Sequence, residues 1–331
     1  MGSPFSYHSQ VNPAVQQSTW DCYASPILRS GLSSQVLQPQ SISMKSMETF
    51  QRKMLRGFLS FSSRSPIPAL HFLLGELPIA GQLHRDCLSL FWSIWRNPGT
   101  LCYKVVKYLL LHAPDNSRTW ASHIRSITKM YGLPDPLNLL QNSPPSKSSW
   151  KGTCDSLIYS YYEKQLRAKS DRNSRMGRMN VQLLSLHSSH PLLQNITHPR
   201  EVQKLKSQLK VLSGDFYTKS VIGERNGTSQ HCILCGNENE IEDDVHVFAP
   251  NGCPQLADPK ERIINEMKET AAKCNPPIAV SSDGDTFTQF VCEPSSYNLR
   301  RENRVNLNNR EECDILFKLS RDYVSAAPSS V

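Results

Sequence analysis

Apolar residues recur every three or four positions along most of this chain, the period of helices that bury one face. From Asn12 to Leu32 the stripe is Trp20, Tyr23 and Ile27, with Asn12 placed to cap the helix and Pro13 at its first position. Pro26 predicts a kink or an end to that helix. A clearer helix carries Met47, Phe50, Met54, Leu55, Phe58 and Leu59 on one face and keeps Arg52, Lys53 and Arg56 off its centre. Further stripes run from Ala69 to Leu74, from Gln82 to Trp95, from Leu101 to Leu111, and through Trp120, Ile124, Ile127 and Tyr131. The run QNSPPSKSS (141–149) reads as a linker. Beyond it, Trp150, Cys154, Leu157, Ile158, Tyr161 and Tyr162 form another stripe. Val202, Leu205, Leu209 and Leu212 mark a helix from which Lys204 and Lys210 project, free to face a partner. The C-terminal third alternates short helices with loops, and strand-like alternation is weak throughout.

The pattern predicts a mainly α fold, an irregular helical assembly with long polar loops. Its expected parts are a helical region over 8–140, the linker at 141–149 and a helical segment over 150–225. A small Cys/His-bearing region follows over 226–275, then a helical, partly disordered tail over 276–331.

Composition changes this picture in three ways. Of the 331 residues, 38% are hydrophobic, below the usual figure of about 45–50%, which fits long polar connections between packed helices. No stretch approaches the roughly 20 apolar residues of a membrane span; the best, Ala69–Ala80, is interrupted by His71, Glu76 and Pro78. The first ten residues lack the layout of a secretory signal. The ten Cys therefore read as reduced thiols of an intracellular protein, nuclear or cytoplasmic rather than secreted.

Charge is localised. Between Lys164 and Arg225 lie twelve Lys+Arg and four Asp+Glu, so this segment carries the whole net charge of +8. Lys164, Arg167, Lys169, Arg172, Arg175, Arg178, Lys204, Lys206 and Lys210 are the candidate contacts to the phosphates of RNA or DNA, since each neutralised phosphate releases counterions. A solvated basic surface is the alternative.

One motif carries chemistry. Cys232 and Cys235 are separated by two residues, ten more precede His246, and six separate His246 from Cys253. Two thiolates on one tight turn, a His and a third Cys can complete the tetrahedral shell of one structural zinc ion. His231 is a possible substitute ligand, and three ordinary thiols beside a surface His are the alternative. Glu238, Glu240, Glu242, Asp243 and Asp244 crowd the intervening loop, where they can hydrogen-bond to outer groups. Elsewhere there is no GxGxxG opening a helix, no GxxxxGK[ST], no HExxH and no GxSxG. Asp283 and Asp285 read as a turn, and His71, His84, His112 and His123 as core or boundary residues.

These residues resemble the Cys-Cys-His-Cys knuckle that follows the reverse transcriptase domain of non-LTR (LINE-type) retrotransposon polyproteins. There a glutamate-rich loop precedes the His, and a Cys-Pro leads into a helix with an early Arg; here these are Glu240 and Glu242, His246, Cys253-Pro254 and Arg262. METFQRKMLRGFLSF (47–61), HFLLGELPIAGQLHRDCLSLFWSI (71–94), YGLPDPLNLL (131–140), QLKVLSGDFY (208–217) and FKLSRDY (317–323) are similar to the family's segments after the polymerase. The family's usual spacing from His to the last Cys is four. The insertion VFAPNG makes it six, which predicts a looser closing loop. The aromatic-x-Asp-Asp turn of a polymerase is absent from this chain, as is an endonuclease. The resemblance thus implies a zinc-stabilised, non-catalytic segment that holds template RNA or target DNA. Two other readings stand beside it. One is a helical interaction module that exposes apolar surface around Phe50, Phe72, Trp92 and Leu109, for self-association or a protein partner. The other is a decayed element with no selected function.

Overall fold

The computed structural model describes residues 10–36, 41–114, 117–172, 176, 178–193, 196, 198–216, 218–273, 280–281, 283–292 and 310–326. It is mainly helical. Among the described residues the one strand-like pairing is an isolated antiparallel bridge between His231 and Ile241.

Helix α1 (Pro13–Thr19) is capped by the Asn12 side chain, which accepts from the Ala14 N–H at 2.8 Å. The chain then passes through a π turn (Trp20–Ala24) into α2 (Ser25–Arg29). Pro26 has no N–H for the usual i→i−4 bond, and the wider turn before it absorbs the loss without breaking the rod. The widening also splits the predicted stripe: Trp20 is fully buried, while Tyr23 and Ile27 are 70% and 76% exposed.

The next helices are α3 (Ile42–Leu59), α4 (Ile67–Leu74), α5 (Ile79–Trp95), α6 (Leu101–His112), α7 (Trp120–Tyr131), α8 (Pro136–Leu140) and α9 (Lys147–Ser170). Side-chain hydroxyls of Ser41, Thr100, Thr119 and Ser146 cap α3, α6, α7 and α9 by accepting first-turn N–H groups. Helix α5 is central and packs on α3, α7 and α9. Phe72 and Trp92 lie in this core, so the apolar surface predicted around them is internal. Phe50 stays half out and Leu109 is partly covered. Helix α9 begins inside the predicted linker, and residues before it are pinned: Trp92 Nε1 donates to the Pro145 carbonyl at 3.0 Å and Trp95 Nε1 to the Asn142 carbonyl at 2.8 Å.

A buried carboxylate organises this half. Glu76 accepts from Gln17 Nε2 (2.5 Å), Gln82 Nε2 (2.6 Å), Gln51 Nε2 (3.1 Å) and Trp20 Nε1 (3.2 Å). Burial pushes its acid up to about 7, with the nearby Asp21 charge acting in the same direction. His71 Nδ1 sits 2.7 Å from the Glu76 carbonyl and His84 Nδ1 2.7 Å from the Tyr131 hydroxyl; burial pulls both imidazoles down to about 4.

The second half holds α10 (Pro199–Leu212), α11 (Lys219–Asn226), α12 (Asp244–Phe248), α13 (Ala257–Lys273), α14 (Gly284–Cys292) and α15 (Arg310–Ala326). Helix α15 lies across α10, α13 and α14. The halves share a continuous core. They are stitched by Asn12 Nδ2 to the Leu193 and Ile196 carbonyls (3.1 and 2.8 Å), and by Ser62, whose N–H and hydroxyl both donate to Asp215. The tail expected to be partly disordered contains α14 and α15; its remainder falls largely outside the described residues.

Candidate metal centre

The four predicted ligands meet. One ligand atom from each of Cys232, Cys235, His246 and Cys253 lies within 4.8 Å of every other. Cys232 and Cys253 sulfurs are 3.8 Å apart, and Cys235 Sγ is 3.7 Å from His246 Nε2. A tetrahedral ion with Zn–S of about 2.3 Å and Zn–N of about 2.0–2.1 Å requires S···S edges of about 3.8 Å and S···N edges of about 3.6 Å. Both of these edges fit that ion. Cys232 and Cys253 are buried, Cys235 is half-buried, and His246 is 8% exposed. His231 is exposed and takes no part in the cluster.

Local structure explains the assembly. The Cys232–Cys235 turn closes with the Gly236 N–H on the Cys232 carbonyl, and Gly236 supplies the positive φ of 64° that the exit needs. Backbone bonds from Cys232 N to Glu240 O and from Glu242 N to Gln230 O fold residues 230–242 into a narrow hairpin. Asp243 then caps α12 by accepting the His246 N–H at 2.7 Å. This places the imidazole over the turn.

The insertion is not the looser loop its length predicts. Val247 and Phe248 continue α12 into the core, and the Cys253 N–H returns to the His246 carbonyl at 2.7 Å. Gly252 permits this return: a Cβ there would sit 2.2 Å from that carbonyl oxygen. Buried Lys260 donates to the Val247 carbonyl, and Tyr323 Oη donates to the Phe248 carbonyl at 2.8 Å. No local pattern marks Lys260 or Tyr323 for this role, because Tyr323 lies 75 residues from its partner.

The surrounding charges suit a dication. Burial pushes the Cys232 thiol up to about 12, against N–H donors from Cys235 and Leu234 that favour its thiolate. A bound cation supplies the charge that burial withholds. Glu240 Oε2 lies 3.6 Å from His246 Nδ1, on the far side of the ring from the sulfurs. That contact favours the Nδ1–H tautomer, which leaves Nε2 for the metal. The other loop acids serve the fold: Glu242 is buried and accepts from the Lys219 N–H, and Asp244 pairs with Arg178. All four ligand positions come from protein, which is the donor set of a structural zinc site.

The predicted phosphate contacts differ in exposure and in partners. Lys164, Lys169 and Arg172 are exposed near the end of α9. Arg167 binds Glu163 at 3.2 Å and donates to the Val181 and Leu184 carbonyls. Arg178 bridges Asp244 and Asp285, each at 2.7 Å. Lys204, expected to be free, pairs with Glu201 and Asp322. Lys206 is buried, which pulls its amine down to about 8, and Lys210 is half-buried. Arg175 lies outside the described residues. No helix among the described residues is long and apolar enough to cross a membrane.

No protein-family model matches this chain, and no curated protein or solved structure is significantly similar to it. What the chain contains is therefore defined by its own geometry: a mainly helical fold with a Cys/Cys/His/Cys cluster able to hold one metal ion.

Proposed function

We propose that this chain is a helical protein-interaction module whose second half is clipped by one structural zinc ion, and that it works by binding rather than by catalysis. The observation that carries the reading is the outer face of α6. Leu101, Val105, Tyr108 and Leu111 are 75%, 46%, 63% and 54% exposed on a helix that already buries Val106 and Leu110 inward. An apolar surface of this kind marks an interaction site.

A second reading keeps the expected contact with RNA or DNA and the origin in a retrotransposon polyprotein. The exposed Lys164, Lys169 and Arg172 favour it. Affinity capture of the full chain before and after nuclease treatment separates the two. The module reading expects proteins that survive nuclease and are lost with Leu101→Ser/Tyr108→Ser. Co-purifying material that vanishes with nuclease and ignores that variant overturns it in favour of the second.

A further inference from the structure

We propose that the outer face of α6 is a docking seam for an amphipathic helix bearing carboxylates along one flank. This rests on the interaction-module reading and adds the chemistry of the partner. Leu101, Val105, Tyr108 and His112 follow one another at spacings of four, three and four, the seam repeat of paired helices. At about 100° per residue they share an arc of about 60° along about 16 Å of helix. The Tyr108 and His112 rings touch, centroids 4.5 Å apart, and form one continuous surface. The opposite side is anchored: Val106 and Leu110 are buried, Tyr103 Oη donates to the Leu140 carbonyl at 3.1 Å, and Arg125 donates to the Leu110 carbonyl. The seam is thus presented by a fixed helix, so little ordering remains for binding to supply.

Charge selects the occupant. The helix sequence LCYKVVKYLLLH contains no Asp or Glu. Lys104 and Lys107 are exposed, and neither makes an ion pair among the described residues. Both project on the same flank as Leu111, whereas Cys102 and Leu109 line the other flank without charge. In an antiparallel pair of identical helices, like flanks meet, so a second copy brings Lys104 to the same basic edge and offers no carboxylate. A membrane-surface helix carries a broad apolar face with a strongly charged opposite face; here the opposite face is buried in protein. A partner helix of about three turns with Glu or Asp on one edge satisfies both the seam and the lysines.

The test uses the full chain and two synthetic three-heptad helical peptides, identical in their apolar seam but carrying Glu or Lys along the flank. Fluorescence anisotropy should show binding of the Glu peptide. Lys104→Glu/Lys107→Glu should weaken it at least tenfold and gain binding of the Lys peptide. Val105→Ser/Tyr108→Ser should abolish both, with the circular dichroism unchanged because these side chains are exposed. Equal binding of the two peptides, or no binding of the Glu peptide, overturns the proposal. So does a dimer in sedimentation equilibrium that Val105→Ser/Tyr108→Ser dissolves, which assigns the seam to a second copy. Binding to phosphatidylserine vesicles that the same variant abolishes overturns it in favour of a membrane surface. If the peptides fail while nuclease-resistant capture still depends on Leu101 and Tyr108, the module reading stands with a different partner. If capture ignores the seam, both fall.

Discussion

Replacing Cys235 with serine removes one of three soft ligands and leaves a neutral hydroxyl in its place. In small zinc-folded peptides the metal supplies about 10–16 kcal/mol of apparent folding free energy, against about 5–15 kcal/mol for the net stability of a whole domain. The structure shows what that energy would hold together here. His246 and Cys253 bracket Val247 and Phe248, whose carbonyls receive Lys260 of α13 and Tyr323 of α15. The ion would fasten the Cys232–Cys235 turn to α12, and through α12 to the two helices that already rest on it. The chain also contains its own reference signal, because all five Trp lie between Trp20 and Trp150. Purified wild type should carry about one zinc per chain, matching the one four-ligand set among the described residues, and Cys235→Ser little. Hydrogen exchange over 218–273 and 310–326 should accelerate by about a thousandfold, the equivalent of about 4 kcal/mol. Tryptophan emission should hardly move. Wild type stripped of zinc that keeps full exchange protection in those segments would refute the structural role of the ion.

Two further outcomes follow from the geometry. Gly252→Ala places a Cβ 2.2 Å from the His246 carbonyl oxygen, so zinc affinity measured against a chelating dye should fall by about tenfold or more; an unchanged affinity would mean the loop shifts without moving its ligands. His71 and His84 stay neutral down to about 4 in the fold, below the unfolded value of about 6.5. The stability they allow is present above about pH 6.5 and is lost as pH falls toward 4, by about 3 kcal/mol each. Glu76 runs the other way, since a folded value of about 7 makes stability fall as pH rises from about 4.5 to 7. Urea unfolding should show wild type weakening in acid and Glu76→Gln weakening more steeply; equal slopes would rule out a titrating Glu76.

The parts of the molecule that could be read from the sequence are those fixed by neighbours a few residues away. The stripes on α3, α5, α7 and α9 follow helical period, and the cap at Asn12 follows side-chain chemistry. The four metal ligands emerged because their spacing is itself the signal. What was hidden depends on residues distant in the chain. Lys204 projects from its stripe, yet Asp322, 118 residues away, joins the neighbouring Glu201 in pairing it, and the candidate contact Arg178 is held by Asp244 and Asp285, 66 and 107 residues away. Trp20, Gln17, Gln51 and Gln82 each look ordinary alone, and only their convergence on Glu76 makes a polar core. Tyr23 and Ile27 fell off the stripe because a π turn, which has no clear sequence mark beyond Pro26, rotated the helix beneath them.

The return of the Cys253 N–H to the His246 carbonyl bears on which ion the site admits. That bond and the packing of Phe248 gather two of the four ligands through backbone contacts that involve no metal. The sulfur and the imidazole are therefore held at a bite set by the protein, and an arriving ion must accept it. Copper(II) and nickel(II) favour square-planar or tetragonal shells, and magnesium an octahedral one of oxygens. Each would have to distort a half-shell braced by Lys260 and Tyr323. Zinc has no such directional preference and takes the angles it is given. Discrimination between metals would then be set largely by Gly252 and the turn around it, residues that never touch the ion.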